Sequence, residues 1–301
     1  MVILCVKEPN MDKYKNLGIF DRSDDLNYFS HWFPKIEHCG ISVPQSQIFD
    51  VPQQFLTDGT FYMENADADM AKIKAYVASN ILPNLKIEGP LFIKNGSFSG
   101  KFNAQQDCMA MPFNLPDHIA HVMFDSALAE AGGEREIVIR ERIRHDHREI
   151  PCIYNGLPFR PEFRVFYDFD SREVIFVANY WDYEYVYPHL YDATDKIVFN
   201  AMREKQEQAF NAYKGKVAAM VSVAMRDVEG LSGPWSIDIM MDKYPVDEDA
   251  PVEVPAFLVP TEELIADIKA SRRPKFYLID MATAERSAYW EKRPGKEESD
   301  A

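Results

Sequence analysis

The chain is short of glycine, with 13 among 301 residues, and shorter still of cysteine, with four. Without a Gly-X-Y period a collagen-like array is excluded, and 47% apolar residues exclude wholesale disorder. Cys5, Cys39, Cys108 and Cys152 lie far apart with no CxxC pair, so neither a disulfide framework nor a four-cysteine zinc site has support, and reduced, mostly buried thiols are expected. No segment reaches the roughly 18 to 20 apolar residues that span a bilayer. The start, MVILCVKEPN, has too short an apolar run before Lys7 for a secretory signal, and a cytoplasmic location is expected. Positive charge is in deficit: 33 Lys and Arg stand against 48 Asp and Glu, a formal net charge of −15. Such a field repels phosphate polyanions and anionic lipid, which argues against nucleic acid and membrane as partners. It leaves room for one local basic groove.

What is there reads as a mixed chain of two domains, at about 150 residues per domain. An apolar, β-branched strand is predicted at 2–6, a helix at 24–38 that Pro34 kinks or ends, and a strand through GISVPQSQIFDVP to Pro52. Helices follow at 67–80 and 117–131, the second closed by Gly132 and Gly133, with a strand at 90–94 between them. Then come a strand at 137–143, an aromatic hairpin at 163–180, a long helix at 197–228 and strands at 235–241 and 275–281. The last two are separated by an acidic, proline-rich insertion and a short helical piece, TEELIADIK, and the tail EKRPGKEESDA is polar. No internal repeat is present, and the class is α+β with antiparallel sheet in the second half.

Four segments carry chemistry. In GPLFIKNGSFSGKF, a strand ending at Lys94 runs into a loop with Gly96, Ser97, Ser99, Gly100 and Lys101. Glycines admit a phosphate to the backbone, hydroxyls donate to it and lysines neutralise it. Phe102 after Gly100-Lys101 breaks the Walker A pattern. A hairpin loop with solvated lysines is the plain alternative. In EREIVIRERIRHDHRE, alternation puts Arg140, Arg142 and Arg144 on one face and Ile139, Glu141 and Ile143 on the other. Glu141 on an apolar face needs a donor, such as an adenine amino group, a ribose hydroxyl or an arginine. His145 and His147 form an HxH pair without further ligands; solvated turn histidines are the alternative. In RPEFRVFYDF, Arg164 lies among aromatics and reads as a phosphate clamp, or as half of an internal pair with Glu162 or Asp168. Asp238 in WSIDIMM and Asp280 in KFYLIDMATAE each interrupt an apolar strand after an isoleucine. The pair suggests a shared magnesium, with Glu285 in reach, or else carboxylates capping strand ends.

The order of these parts resembles the ATP-grasp superfamily over about residues 40–290, with GISVPQSQIF similar to a G-I-x-V-P strand that often precedes the domain. Within it, E-F-R-V-F around Arg164 is similar to a small arginine-containing branch of phage and bacterial proteins, distantly like the eukaryotic cell-division-cycle chaperone type. The resemblance implies an α+β fold in which two subdomains grip a nucleotide. The expected layout is a small α/β N-terminal domain (1–66), an ATP-grasp domain (67–290, with a lid-bearing part at 67–139 and a C-terminal part at 140–290) and a flexible tail (291–301). It implies Lys94 on the α-phosphate, the 95–101 loop with Ser97, Ser99 and Gly100 over the β- and γ-phosphates, and Glu141 with Ile143 at the adenosine. Arg164 and Lys101 would act on the transferred phosphoryl group, and Asp238, Asp280 and Glu285 would hold magnesium. The last motif departs from the family's: Met281 and Ala282 follow Asp280 where an asparagine ligand is usual, and Thr283 or Glu285 stands in reserve.

The implied activity is ATP-dependent ligation of an acid to an amine or peptide terminus through an acyl phosphate. The alternative is a non-catalytic ATP-binding module that assembles a protein partner. A third reading, nucleic-acid end chemistry, meets the net negative charge. The acceptor is sought in segment 11–25 and in the run YWDYEYVYPHLYD (180–192), whose rings and carboxylates suit a cationic amine or simply pack.

Overall fold

The computed structural model describes residues 25–52, 66–128, 136–144, 150–245, 261–263, 265–266 and 272–295. The strand expected at 2–6, the Gly132–Gly133 stop, His145, His147, most of segment 11–25 and Cys5 lie outside them. In chain order the elements are α1 (Phe29–Ile36), β1 (Ser46–Asp50), α2 (Ala66–Tyr76), β2 (Leu91–Asn95), β3 (Met109–Ala110), α3 (Leu115–Leu128) and β4 (Glu136–Glu141). They continue with β5 (Cys152–Ile153), β6 (Leu157–Pro158), β7 (Glu162–Asp168), β8 (Glu173–Asn179), α4 (Tyr183–Val186), α5 (Ala193–Met225), β9 (Pro234–Met241) and β10 (Phe276–Thr283). The architecture is α+β: one antiparallel sheet in the order β1-β4-β2-β3, a second in the order β10-β9-β7-β8, and a small β5–β6 hairpin.

Each sheet sorts its residues by the period-two pleat. In the first, Leu91, Ile93, Ile137 and Ile139 pack on α2 and α3 through Ile73, Val77, Ile119 and Val122. The other face sets Lys94 opposite Val138 and Phe92 opposite Arg140. In the second, Phe163, Val165, Ile237 and Ile239 pack against Val217, Val221 and Met225 of α5. Its other face sets Arg164 opposite Asp238 and Asp238 opposite Asp280, with a bulge between Leu278 and Asp280. Both polar rows result from the alternation that makes the cores apolar.

Helix α5 starts four residues before the expected position, because Asp192 caps it by accepting from the backbone N–H of Thr194 and Asp195. Helix α1 carries Pro34 and continues two residues beyond it, its Phe29, Trp32, Phe33 and Ile36 all buried. Those residues share a cluster with Val138 of the first sheet and Leu278 and Met281 of the second, so α1 joins the two sheets at one end. Strand β1, expected in the N-terminal domain, pairs with β4 from Ser46↔Arg140 to Asp50↔Glu136, and the expected 139/140 boundary falls inside β4. Cys39 and Cys108 are free thiols, and among the described residues no helix is long and apolar enough to cross a membrane.

Candidate functional site

The two polar faces meet over a cavity, and its charges pair across strands. Lys94 reaches from β2 to β10, where its Nζ donates to both oxygens of Asp280 at 2.9 and 3.0 Å. Lys94 is 3% exposed and Asp280 41%. One strand inward, Arg164 grips Asp238 bidentately, Nε to Oδ1 at 2.8 Å and Nη2 to Oδ2 at 2.7 Å. Burial alone would lower the pKa of Arg164, but the Asp238 carboxylate and its hydrogen bonds hold it above the ordinary value. The partner of Arg164 is therefore Asp238, in place of the expected Glu162 or Asp168.

Two further arginines line the cavity with unspent donors. Arg140 of β4 donates Nη1 to the Ile279 carbonyl across the cleft, while its buried Nε and Nη2 have no partner. Arg160, 1% exposed, donates Nη2 to the carbonyls of Ile143 at 2.8 Å and Arg144 at 2.9 Å, while Nε and Nη1 have none. Burial brings both guanidinium groups down to about 10. The Phe29 ring of α1 lies beneath Lys94 at 5.9 Å and Arg140 at 5.2 Å. Glu162 of β7 also lines the cavity; burial, reinforced by Asp238, pushes its carboxyl up to about 7 against the pull of Lys101, Arg164 and Arg160.

The Asn95–Lys101 loop connects β2 to β3, as the hairpin alternative had it, yet its second lysine is not solvated. Asn95 and Phe98 close a turn, with the Phe98 N–H donating to Asn95 Oδ1 at 2.8 Å and the Asn95 N–H to the Phe98 carbonyl at 2.9 Å. Gly100 sits at φ +59°, and a Cβ there would come within 2.7 Å of Asp107 Cβ, so close packing as well as backbone freedom demands glycine. Lys101 folds inward, half-buried, bonded to the Tyr180 hydroxyl and 4.5 Å over its ring. Burial lowers its pKa, opposed by Glu162.

Of the residues singled out from sequence, Lys94, Ser99, Lys101, Glu141, Ile143, Asp238 and Asp280 line this one cavity, and Arg164 borders it through Asp238. Ser97 and Glu285 are exposed and do not line it. After β10 ends at Thr283, a tight turn at Ala284–Arg286 carries Glu285 outward, and among the described residues no group of three acids or other ligand types could hold a metal. Glu141 is exposed at the end of β4 rather than buried in an apolar face. Arg160 and Glu162 went unassigned. Counting back by two from Arg164 places Glu162 on the charged face, whereas nothing local marks Arg160.

The residues fit an anion with several oxygens. Four buried guanidinium N–H groups await acceptors beside Lys94 and Lys101, and unmet buried donors of this kind are costly. Asp238 and Asp280, adjacent on neighbouring strands, are two carboxylates that could serve a magnesium ion that also takes phosphate oxygens.

No family profile matches the chain, and neither does any curated protein. Solved structures that resemble it include Cdc123 from Schizosaccharomyces pombe, at 11% identity over 87% of this chain and 85% of that one, with a TM-score of 0.40. VanG D-Ala:D-Ser ligase from Enterococcus faecalis is similar at 14% identity over 85% and 52%, TM-score 0.34. A RimK domain ATP-grasp protein from Sphaerobacter thermophilus is similar at 10% identity over 86% and 58%, TM-score 0.31. The chain thus spans little more than half the length of those last two. Scores this low carry no argument about chemistry. The fold itself is two antiparallel sheets facing each other over a cation-lined cavity.

Proposed function

We propose that the cleft binds ATP with magnesium and that the protein is an ATP-dependent carboxylate–amine ligase. One observation carries the reading: Lys94, Lys101, Arg140, Arg142 and Arg160 line one cavity that Arg164 borders, two of them arginines with buried, unpaired N–H groups, opposite an adjacent pair of aspartates. A net charge of −15 makes that concentration of positive charge the more specific.

In this reading Asp238 and Asp280 hold the metal, which when bound neutralises phosphate oxygens. Lys94 exchanges Asp280 for a phosphate oxygen, and Arg140 and Arg160 direct their free N–H groups to the triphosphate. Arg164 orients Asp238 through its two hydrogen bonds. Glu141 and the Ile143 segment, fixed by Arg160, border the adenosine. A carboxylate oxygen attacks the γ-phosphorus, the bond to the ADP oxygen breaks, and an acyl phosphate results. An amine nitrogen then attacks the acyl carbon, loses a proton and expels phosphate. The side chains position and neutralise; none becomes covalently attached.

A thermal-shift titration tests the binding step. Mg-ATP raises the unfolding midpoint, since ligand at a hundred times Kd adds about 2.7 kcal/mol of stability. Lys94→Ala abolishes the rise, Asp280→Ala loses the share of it that magnesium adds, and no rise with ATP, ADP or GTP in the wild type refutes the reading. ADP release on mixing with acids and amines tests turnover. Binding without ADP release across a broad panel favours the module that assembles a partner, as the missing asparagine after Asp280 would suggest.

A further inference from the structure

A second cavity shares Lys101, Tyr180 and Trp181 with the cleft, and the reading above leaves it without a role. Its walls are aromatic: Phe102, Tyr154, Tyr185 and Tyr289 join Tyr180 and Trp181. Lys101 and Arg164 supply its fixed charge, His189 lines it as well, and among the described residues no carboxylate does.

The site is built rather than incidental. Tyr154 sits at φ +50°, its N–H donating to Asp195 Oδ1 at 3.0 Å and its carbonyl accepting from the Ala104 N–H at 2.9 Å. Tyr289 sits at φ +75°, its hydroxyl donating to the Tyr180 carbonyl at 2.8 Å. Tyrosine is rare in that backbone region and stays there only where its surroundings hold it.

The charges are unequal. Arg164 is balanced by Asp238, whereas Lys101 has no carboxylate within salt-bridge distance among the described residues and bonds only a phenol. Trp181 keeps a buried indole N–H without a partner. Asp182 caps α4 and acts on the Tyr289 phenol, but the groove that it lines, with Glu184, Arg203 and Glu207, is a separate one. A cationic amine, which the sequence left open as a ligand beside simple packing, would meet Lys101 with no carboxylate among the described lining residues. An anion with a flat or bulky apolar body meets a cation and ring walls.

We infer that this cavity seats the acid substrate, a carboxylate carried on an aromatic or bulky apolar body, with the carboxylate at Lys101 and the body among Phe102, Tyr154, Tyr185 and Tyr289. The role as substrate site rests on the ligase reading; the ligand class does not. Lys101 borders both cavities and so sets the carboxylate beside the cleft.

Calorimetric titration of the full chain with 3-phenylpropanoate, propanoate and 2-phenylethylamine tests it, with Mg-ATP titrated separately. The aromatic acid binds about tenfold or more tighter than propanoate, because it alone buries a ring, and the amine does not bind. Lys101→Met weakens the aromatic acid at least about tenfold. So does the pair Phe102→Ala and Tyr185→Ala, and these residues, 65% and 42% exposed, are too exposed for their truncation to unfold the chain. Amine binding as tight as acid binding, or unchanged affinity in both variants, overturns the inference. Mg-ATP binding with no acid binding overturns it and leaves the nucleotide reading standing. Acid binding with no Mg-ATP binding upholds the ligand class and removes the ligase role.

Discussion

Asp107 shows how one residue beneath the glycine loop ties stability to pH. It is 2% exposed, its Oδ1 has no partner, and its side chain fills the space a Cβ at Gly100 would need. Burial first, then the charge and hydrogen bond of Asp125, push its carboxyl from an ordinary 3.8 up to about 7. A carboxyl raised on folding binds its proton more tightly in the native state. Between those two values the native chain therefore holds more protons than the unfolded chain, and stability falls as pH rises, levelling off above about 7. Asp107→Asn keeps a donor toward Asp125 and removes the repulsion. Urea unfolding at pH 5 and pH 8 is expected to show wild type losing stability across the interval and the variant losing much less. Parallel losses in the two proteins would mean that the pair is not the source.

At the scale of strands, the row Arg164–Asp238–Asp280 across β7, β9 and β10 puts charge on a sheet whose other face is apolar core. The side chains of Arg164 and Asp238 are 13% and 8% exposed. Truncating one partner strands the other, at a cost of about 3 kcal/mol or more, while an apolar pair of similar size restores most of it. Arg164→Met is expected to lose that much in urea unfolding, and Arg164→Met with Asp238→Leu much less. Equal losses would mean the ion pair itself, not the stranded carboxylate, sets the cost. This row also marks where reading the sequence stops. The alternation of E-F-R-V-F, the 3.6-residue stripe of α5 and the two ID strands are local patterns, and each element formed within a few residues of its expected place. Register is not local. Glu162 and Asp168 share a face with Arg164 along the strand, but a residue directly opposite on the next strand stands closer, and Asp238 holds that position. Arg160 and the inward turn of Lys101 depend on the β5–β6 hairpin docking on the loop, where Ala104 and Gln105 donate to the carbonyls of Tyr154 and Asn155 at 2.9 and 3.0 Å. Glu285 lies away from the cavity for a simpler reason: β10 ends at Thr283, and the tight turn at Ala284–Arg286 carries it outward.

Across the whole molecule, the Lys94–Asp280 pair and the Arg140–Ile279 bond span the cleft from one sheet to the other, with the α1 rings beneath them. In the proposed reading Asp280 acts as a stand-in anion for Lys94, and a triphosphate would compete with it for the lysine. A metal on Asp280 would remove the competitor and add a positive charge of its own. The two effects separate in Asp280→Asn. Without magnesium the variant leaves Lys94 uncompensated, so ATP alone is expected to bind several-fold tighter than to wild type, by the gain of an unshared cation at a buried site. With magnesium the wild type gains affinity, and the variant, lacking one of two carboxylate ligands, gains little. The order of the two proteins therefore inverts between EDTA and magnesium in a calorimetric titration with ATP. If Asp280→Asn weakens binding in both buffers alike, Asp280 shapes the cleft without exchanging partners; if it changes neither, the triphosphate does not lie against Lys94.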